Sequence, residues 1–208
     1  MQSNWAAEHL QVIRTLMERS AIYRRALAPI MLFLGILGLI AALLARWLRF
    51  DSGIFFGWFW MVVSAVGVSG AYLMIRRQAL KAAEPFWSPP TRRVTQAVMP
   101  SLTAGLGAGV LLILLSRGDP SVIRWLPPIW MVFYGCAVHA AGFFMPRGMK
   151  LFGWGFLCSG AAVAAWLAQS VAAPSARGGH AVMGLFFGGL HLAYGIYLYF
   201  TEKRKNEA

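Results

Sequence analysis

His139 and His191 are the residues of this chain most open to chemistry. Each lies inside a long apolar run, and an ionisable side chain there is a functional candidate because its charge is expensive to hold away from water. Imidazole suits iron, copper and zinc, so the pair could ligate a metal or supply both axial ligands of a b-type haem. Its near-neutral titration also fits proton relay. A third role is a ligand pocket shared with Ser69, Tyr72, Tyr134 and Tyr194. The plain structural alternative is a pair of neutral histidines bonded to neighbouring helices, and composition does not choose among these. Cys136 stands three residues before His139, one helical turn away. Cys-x-x-His is a metal-ligand spacing, though only two helices contribute to it.

The spacing around these residues repeats. Met61, Met131 and Met183 are each followed eight residues later by Ser69, His139 and His191. Small residues flank each of the three at −2 and +2: Gly67 and Ala71, Ala137 and Ala141, Gly189 and Ala193. Pro29 and Pro100 each precede a glycine, Gly35 and Gly105, within seven residues. The pattern predicts three tandem parallel hairpins, with Ser69, His139 and His191 at one depth. The flanking small pairs, with Gly184/Gly188 and Gly105/Gly107/Gly109, predict surfaces of close helix approach.

Other chemistry is sparse. The apolar runs hold no carboxylate, which removes paired-carboxylate acid–base work there. There is no G-x-S-x-G and no phosphate-binding loop. No nucleophile stands with a base, so an enzyme is not expected. Cys136 and Cys158 sit in apolar segments without C-x-x-C spacing and read as small core residues. His9 and His180 fall in polar segments and read as surface residues.

The elements that must position these residues are set by composition. Of 208 residues, 59% are hydrophobic and 12% charged, about half the charge of a soluble domain. That deficit argues against a soluble enzyme or a nucleic-acid-binding module, despite a formal net charge of +12. Six runs are long enough to cross a bilayer core of about 30 Å: 26–45, 54–75, 95–115, 125–145, 152–172 and 181–200. In lipid they must be helices. The expected fold is an all-α integral membrane protein of six transmembrane helices over residues 26–200, preceded by a cytoplasmic amphipathic helix over 1–25 and followed by a basic tail over 201–208.

Of the 19 Lys and Arg residues, 14 fall on the side of the termini and 5 on the other. The positive-inside rule therefore places both termini in the cytoplasm. The first run reads as a signal anchor, since 25 mostly polar residues precede it. Ala6, Leu10, Ile13, Met17 and Ala21 recur at helical spacing against Glu8, Arg14, Glu18 and Arg19. This predicts an interfacial or partner-docking helix. The longest connection on that side carries Arg76, Arg77, Lys81, Arg92 and Arg93 around Phe86 and Trp87. Such a patch suits anionic lipid headgroups or a cytoplasmic regulator protein. No direct nucleic-acid contact is expected, and a homo-oligomer is left open.

Three segments carry a resemblance: 17–29 (MERSAIYRRALAP), 84–93 (EPFWSPPTRR) and 188–203 (GGLHLAYGIYLYFTEK). Together they resemble a family of bacterial six-span inner-membrane proteins with no assigned activity. The resemblance implies a bacterial inner-membrane location and a small winged-helix regulator encoded nearby, and it supplies no catalytic residues or cofactor.

Overall fold

The computed structural model describes residues 27–50, 52–81, 83, 85–145, 148–170 and 176–207. The amphipathic helix expected over 1–25 lies outside them. The described residues are helical without any strand. The elements are α1 (Leu27–Trp47), α2 (Gly53–Lys81), α3 (Pro89–Leu115), a 3-10 turn (Pro120–Trp125), α4 (Leu126–Ala141), α5 (Gly148–Gln169), α6 (Ala176–Met183), a π-helical segment (Gly184–Leu190) and α7 (His191–Glu207). The 3-10 turn runs into α4, and α6, the π segment and α7 form one continuous rod. Six helices are therefore long and apolar enough to cross a membrane. The sixth is the rod Ala176–Thr201. Leu43, Trp47 and Leu151 are 67%, 78% and 73% exposed, as side chains facing lipid should be.

Proline and short polar side chains set the helix starts. Ser88 precedes Pro89 and Pro90 at the first positions of α3, where a missing N–H costs nothing. Its hydroxyl pairs with that of Thr91 at 2.9 Å. Pro100 lies inside α3, and the Thr103 hydroxyl donates to the carbonyls of Met99 and Pro100 at 2.8 and 3.0 Å. Asp119 caps the 3-10 turn by accepting from Ser121 N at 2.9 Å. At the end of α1, Arg49 takes a left-handed φ of 55°. Phe50 N donates to Ala45 O at 3.1 Å and Arg49 N to Arg46 O at 3.4 Å, the paired bonds that close a Schellman turn.

The core has two layers. The end of the bundle where α1 begins and α7 leaves is termed proximal. Its core joins Leu27, Met31, Met131, Val138, Met149, Phe152, Phe156 and Leu198. The distal core joins Ala41, Phe56, Trp60, Leu112, Ile113, Ile123, Leu126 and Met183.

Backbones meet most closely along two seams. A Cβ on Gly35 would lie 2.5 Å from Leu192 N, one on Gly188 2.7 Å from Leu39 N, and one on Gly195 2.8 Å from Leu32 N. These contacts join α1 to the sixth span. A Cβ on Gly153 would lie 2.7 Å from His139 N, and one on Gly135 2.9 Å from Gly153 O, joining α4 to α5. Without a hydrophobic drive in lipid, such small-residue seams hold helices together. On the sixth span the seam runs through Gly184 and Gly188. The expected Gly189/Ala193 face is not a seam: Ala193 is exposed, and a Cβ on Gly189 would meet only Leu185 Cδ1 at 3.9 Å. Gly67, Gly105 and Gly109 do pack on neighbours, while Gly107 faces open space.

Candidate functional site

The sixth span is where the buried polar chemistry collects. The α1 seam forces one face of this rod against the bundle, which sinks His180 and His191 to 2% and 1% exposure. Eleven residues apart, they are about 16 Å from each other along the rod. The π-helical segment Gly184–Leu190 lies between them and ends where His191 begins. A π turn inserts one extra residue and rotates the helix beyond it, and such segments recur at functional sites.

His191 sits in an aromatic box. Tyr134 of α4 reaches it with its hydroxyl 2.5 Å from Nε2. Phe152 and Phe156 of α5 stand edge-on to the imidazole at 5.0 and 5.4 Å, and Phe187 stacks at 6.4 Å. Nδ1 is buried without a hydrogen-bond partner. The Phe187 carbonyl, one turn earlier on the same rod, does not meet Nδ1 in hydrogen-bond geometry. Tyr194, one turn after His191, stacks on Phe152 at 4.7 Å with its hydroxyl buried and unpartnered. His191 Nδ1 and Tyr194 Oη are thus two unsatisfied polar atoms around one box, where water or a small polar molecule would gain hydrogen bonds.

The six residues singled out from the sequence part company here. Tyr134 meets His191, and His191 and Tyr194 both pack on Phe152. Ser69 and Tyr72 are exposed on α2, with Tyr72 against Phe86. His139 is half-buried between Phe143 and Trp154. Five residues of helix separate Tyr134 from His139, a rotation of about 140°, so His139 leaves α4 on a different face from the one that meets His191. The three positions aligned by the Met-to-His spacing therefore have unlike surroundings. Among the described residues no three of His, Cys, Asp and Glu gather as metal ligands. Cys136 is half-buried and Cys158 exposed, both as free thiols.

His180, expected at the surface, is a correction: it is the second buried histidine of the span. Trp60 Nε1 donates to its Nδ1 at 3.0 Å. Indole nitrogen only donates, so the imidazole proton sits on Nε2, which donates to Phe50 O at 3.1 Å. Phe56 and Phe59 stand edge-on to the ring at 4.8 and 5.8 Å. Phe50 directly follows the left-handed Arg49. His180 thereby ties the end of α1 and the start of α2 to the sixth span.

The proximal end carries a set of exposed cations. Arg76, Arg77 and Lys81 end α2, and Arg92 and Arg93 begin α3, all exposed, with Trp87 exposed between them. Comparison with family models, curated proteins and solved structures finds no match to this chain.

Proposed function

We propose that the chain is a non-enzymatic sensor or scaffold of the bacterial inner membrane, with both termini in the cytoplasm. In this reading it conveys a state of the bundle to a cytoplasmic partner or to anionic lipid. The observation that supports it is the sixth span itself. One rod carries the two fully buried histidines found among the described residues and the π segment, then runs as helix from His191 to Glu207. A shift of the extra π residue would rotate everything beyond it, including the basic tail. The charge asymmetry supports the orientation, and the exposed cations of α2 and α3 offer the surface a partner or lipid would meet. Three tandem hairpins and the helix over 1–25 complete the proposed architecture.

Hydrogen–deuterium exchange of the chain in nanodiscs tests this coupling. Tyr134→Phe, which removes the hydroxyl from His191, is expected to change amide exchange over 201–207 at least threefold. Unchanged tail exchange, with the box measurably loosened, would remove the sensor reading.

A second reading, a small transporter or small-molecule-binding protein, draws on the unsatisfied His191 Nδ1 and Tyr194 hydroxyl. The donor set does not fit a metal or a bis-histidine haem, because His139 leaves α4 on a face turned away from His191. An absorption spectrum of the purified protein, oxidised and dithionite-reduced, is expected to be featureless above the protein band. A Soret band lost in His191→Ala would replace the sensor with a haem protein.

A further inference from the structure

The distal end of the bundle holds a cavity of about 300 Å³ between the starts of α2, α4 and α6 and the end of α5. Phe56, Ile123, Pro127, Val163, Leu167 and Val182 make its walls apolar. Arg124, from the last turn of the 3-10 segment, also lines it. Its Nε is buried and has no hydrogen-bond partner among the described residues. The guanidinium lies 5.6 Å from the Trp125 ring, which holds the group sideways but accepts no hydrogen bond. Asp119 is the carboxylate whose charge Arg124 feels, and its Oδ1 is already taken by Ser121 N at 2.9 Å. An always-charged guanidinium whose buried Nε–H has no acceptor among the described residues therefore borders an apolar cavity.

We propose that this cavity binds a small anionic amphiphile, a carboxylate on an apolar body of about ten non-hydrogen atoms, with Arg124 holding the carboxylate. The size comes from the volume, since about 30 Å³ of space is needed for each water-sized group. The chemistry comes from the walls, which reward an apolar body, and from Arg124, which rewards a planar anion with two parallel hydrogen bonds. Binding stands on these residues alone. Its consequence rests on the sensor reading: Gly179 and Val182 line the cavity, and Phe56 separates it from His180, so an occupant presses on the first turns of the sixth span.

Titration calorimetry of the full chain in zwitterionic nanodiscs, with octanoate as the probe and empty nanodiscs as the blank, tests the site. Octanoate is expected to bind saturably with one site per chain, and octanol and octylammonium at least tenfold more weakly. Arg124→Gln should lose at least tenfold in octanoate affinity, Arg124→Lys less. Val182→Trp, which fills the cavity and leaves Arg124 in place, should abolish binding. No saturable heat, equal affinity for octanol, or an unaffected Arg124→Gln would each overturn the proposal. If Arg124→Gln fails to fold, the octanol comparison and Val182→Trp still decide. A phospholipid retained in native mass spectra of the wild type and lost in Arg124→Gln would make the occupant a lipid and overturn the free amphiphile. Octanoate binding without altered exchange over 201–207 would keep the site and remove its coupling to the sixth span, whereas Tyr134→Phe altering tail exchange without any octanoate binding would keep the sensor and remove the site.

Discussion

The two ends of the sixth span bury the same side chain in opposite ways. At the distal end His180 has both ring nitrogens engaged, one by the Trp60 indole and one by the Phe50 carbonyl. At the proximal end His191 has one nitrogen on Tyr134 and the other unmet. A satisfied buried imidazole is a clamp: its tautomer is dictated, and three elements lose freedom together. A half-satisfied one keeps a choice of tautomer, because Nε2 can donate to the Tyr134 oxygen or accept from it. The difference locates rigidity at the far end and adaptability next to the π segment, in the half of the rod that continues into the tail.

Separating the rod from α1 should break both environments at once, and this is the largest effect expected. A leucine at Gly35 has no room, since even its Cβ would lie 2.5 Å from Leu192 N. Gly35→Leu should cost about 3 kcal/mol or more, beyond the usual range for overpacking because backbone must move. Gly189→Leu is the control, as its nearest atom is the flexible Leu185 Cδ1 at 3.9 Å. Unfolding in SDS titration should separate the two variants plainly. Equal midpoints would mean that the α1 seam does not hold the span.

A finer test sets the two histidines against each other. Trp60→Phe leaves Nδ1 of His180 without its donor inside a clamp and should cost about 2 kcal/mol. Tyr134→Phe removes only a hydroxyl from a ring that already has an unmet nitrogen, and should cost about 1 kcal/mol, near the modest values typical of hydrogen bonds between membrane helices. Adding His191→Phe to Tyr134→Phe should recover most of that loss, since neither member of the pair then carries a polar atom that needs a partner. A costlier Tyr134→Phe than Trp60→Phe in the same detergent would reverse the assignment of clamp and adaptable box.

Much of this was legible in the residues. Six apolar runs without internal charge announce six helices, because lipid offers the backbone no other partner. His191 was legible as buried, being flanked by apolar residues on all sides. His180 was not, because glycines 178 and 179 and the nearby Pro174 resemble a solvent-exposed turn. A signal did exist: His180, Gly184 and Gly188 recur every four residues, which puts the histidine on the small-residue stripe that meets α1. The likeness of Ser69, His139 and His191 misled for a different reason. Environment is supplied by side chains from other helices, and Phe152 and Phe156 of α5 have no place in an alignment of even-numbered spans. Arg124 also escaped notice, since its importance lies in what it fails to find nearby.

The smallest expected effect concerns the cap beside that arginine. The Asp119 carboxyl is held below its ordinary value of 3.8, first by its bonds to Ser121 and last by the Arg124 charge. A depressed folded-state value means that the ionised cap contributes its stability fully above the ordinary carboxylate value and loses it as pH falls through the lower one. Wild type should therefore melt slightly above Asp119→Asn at pH 7, and the two curves should converge below about pH 4. Because Asp119 is fully exposed, added salt should narrow the gap as well. The same substitution sharpens the distal site. Removing this carboxylate leaves Arg124 with less negative charge nearby, so octanoate at pH 7 should bind Asp119→Asn no more weakly than wild type. Weaker binding would mean that Asp119 positions the guanidinium instead of competing for it, and would assign the cap a direct part in shaping the cavity.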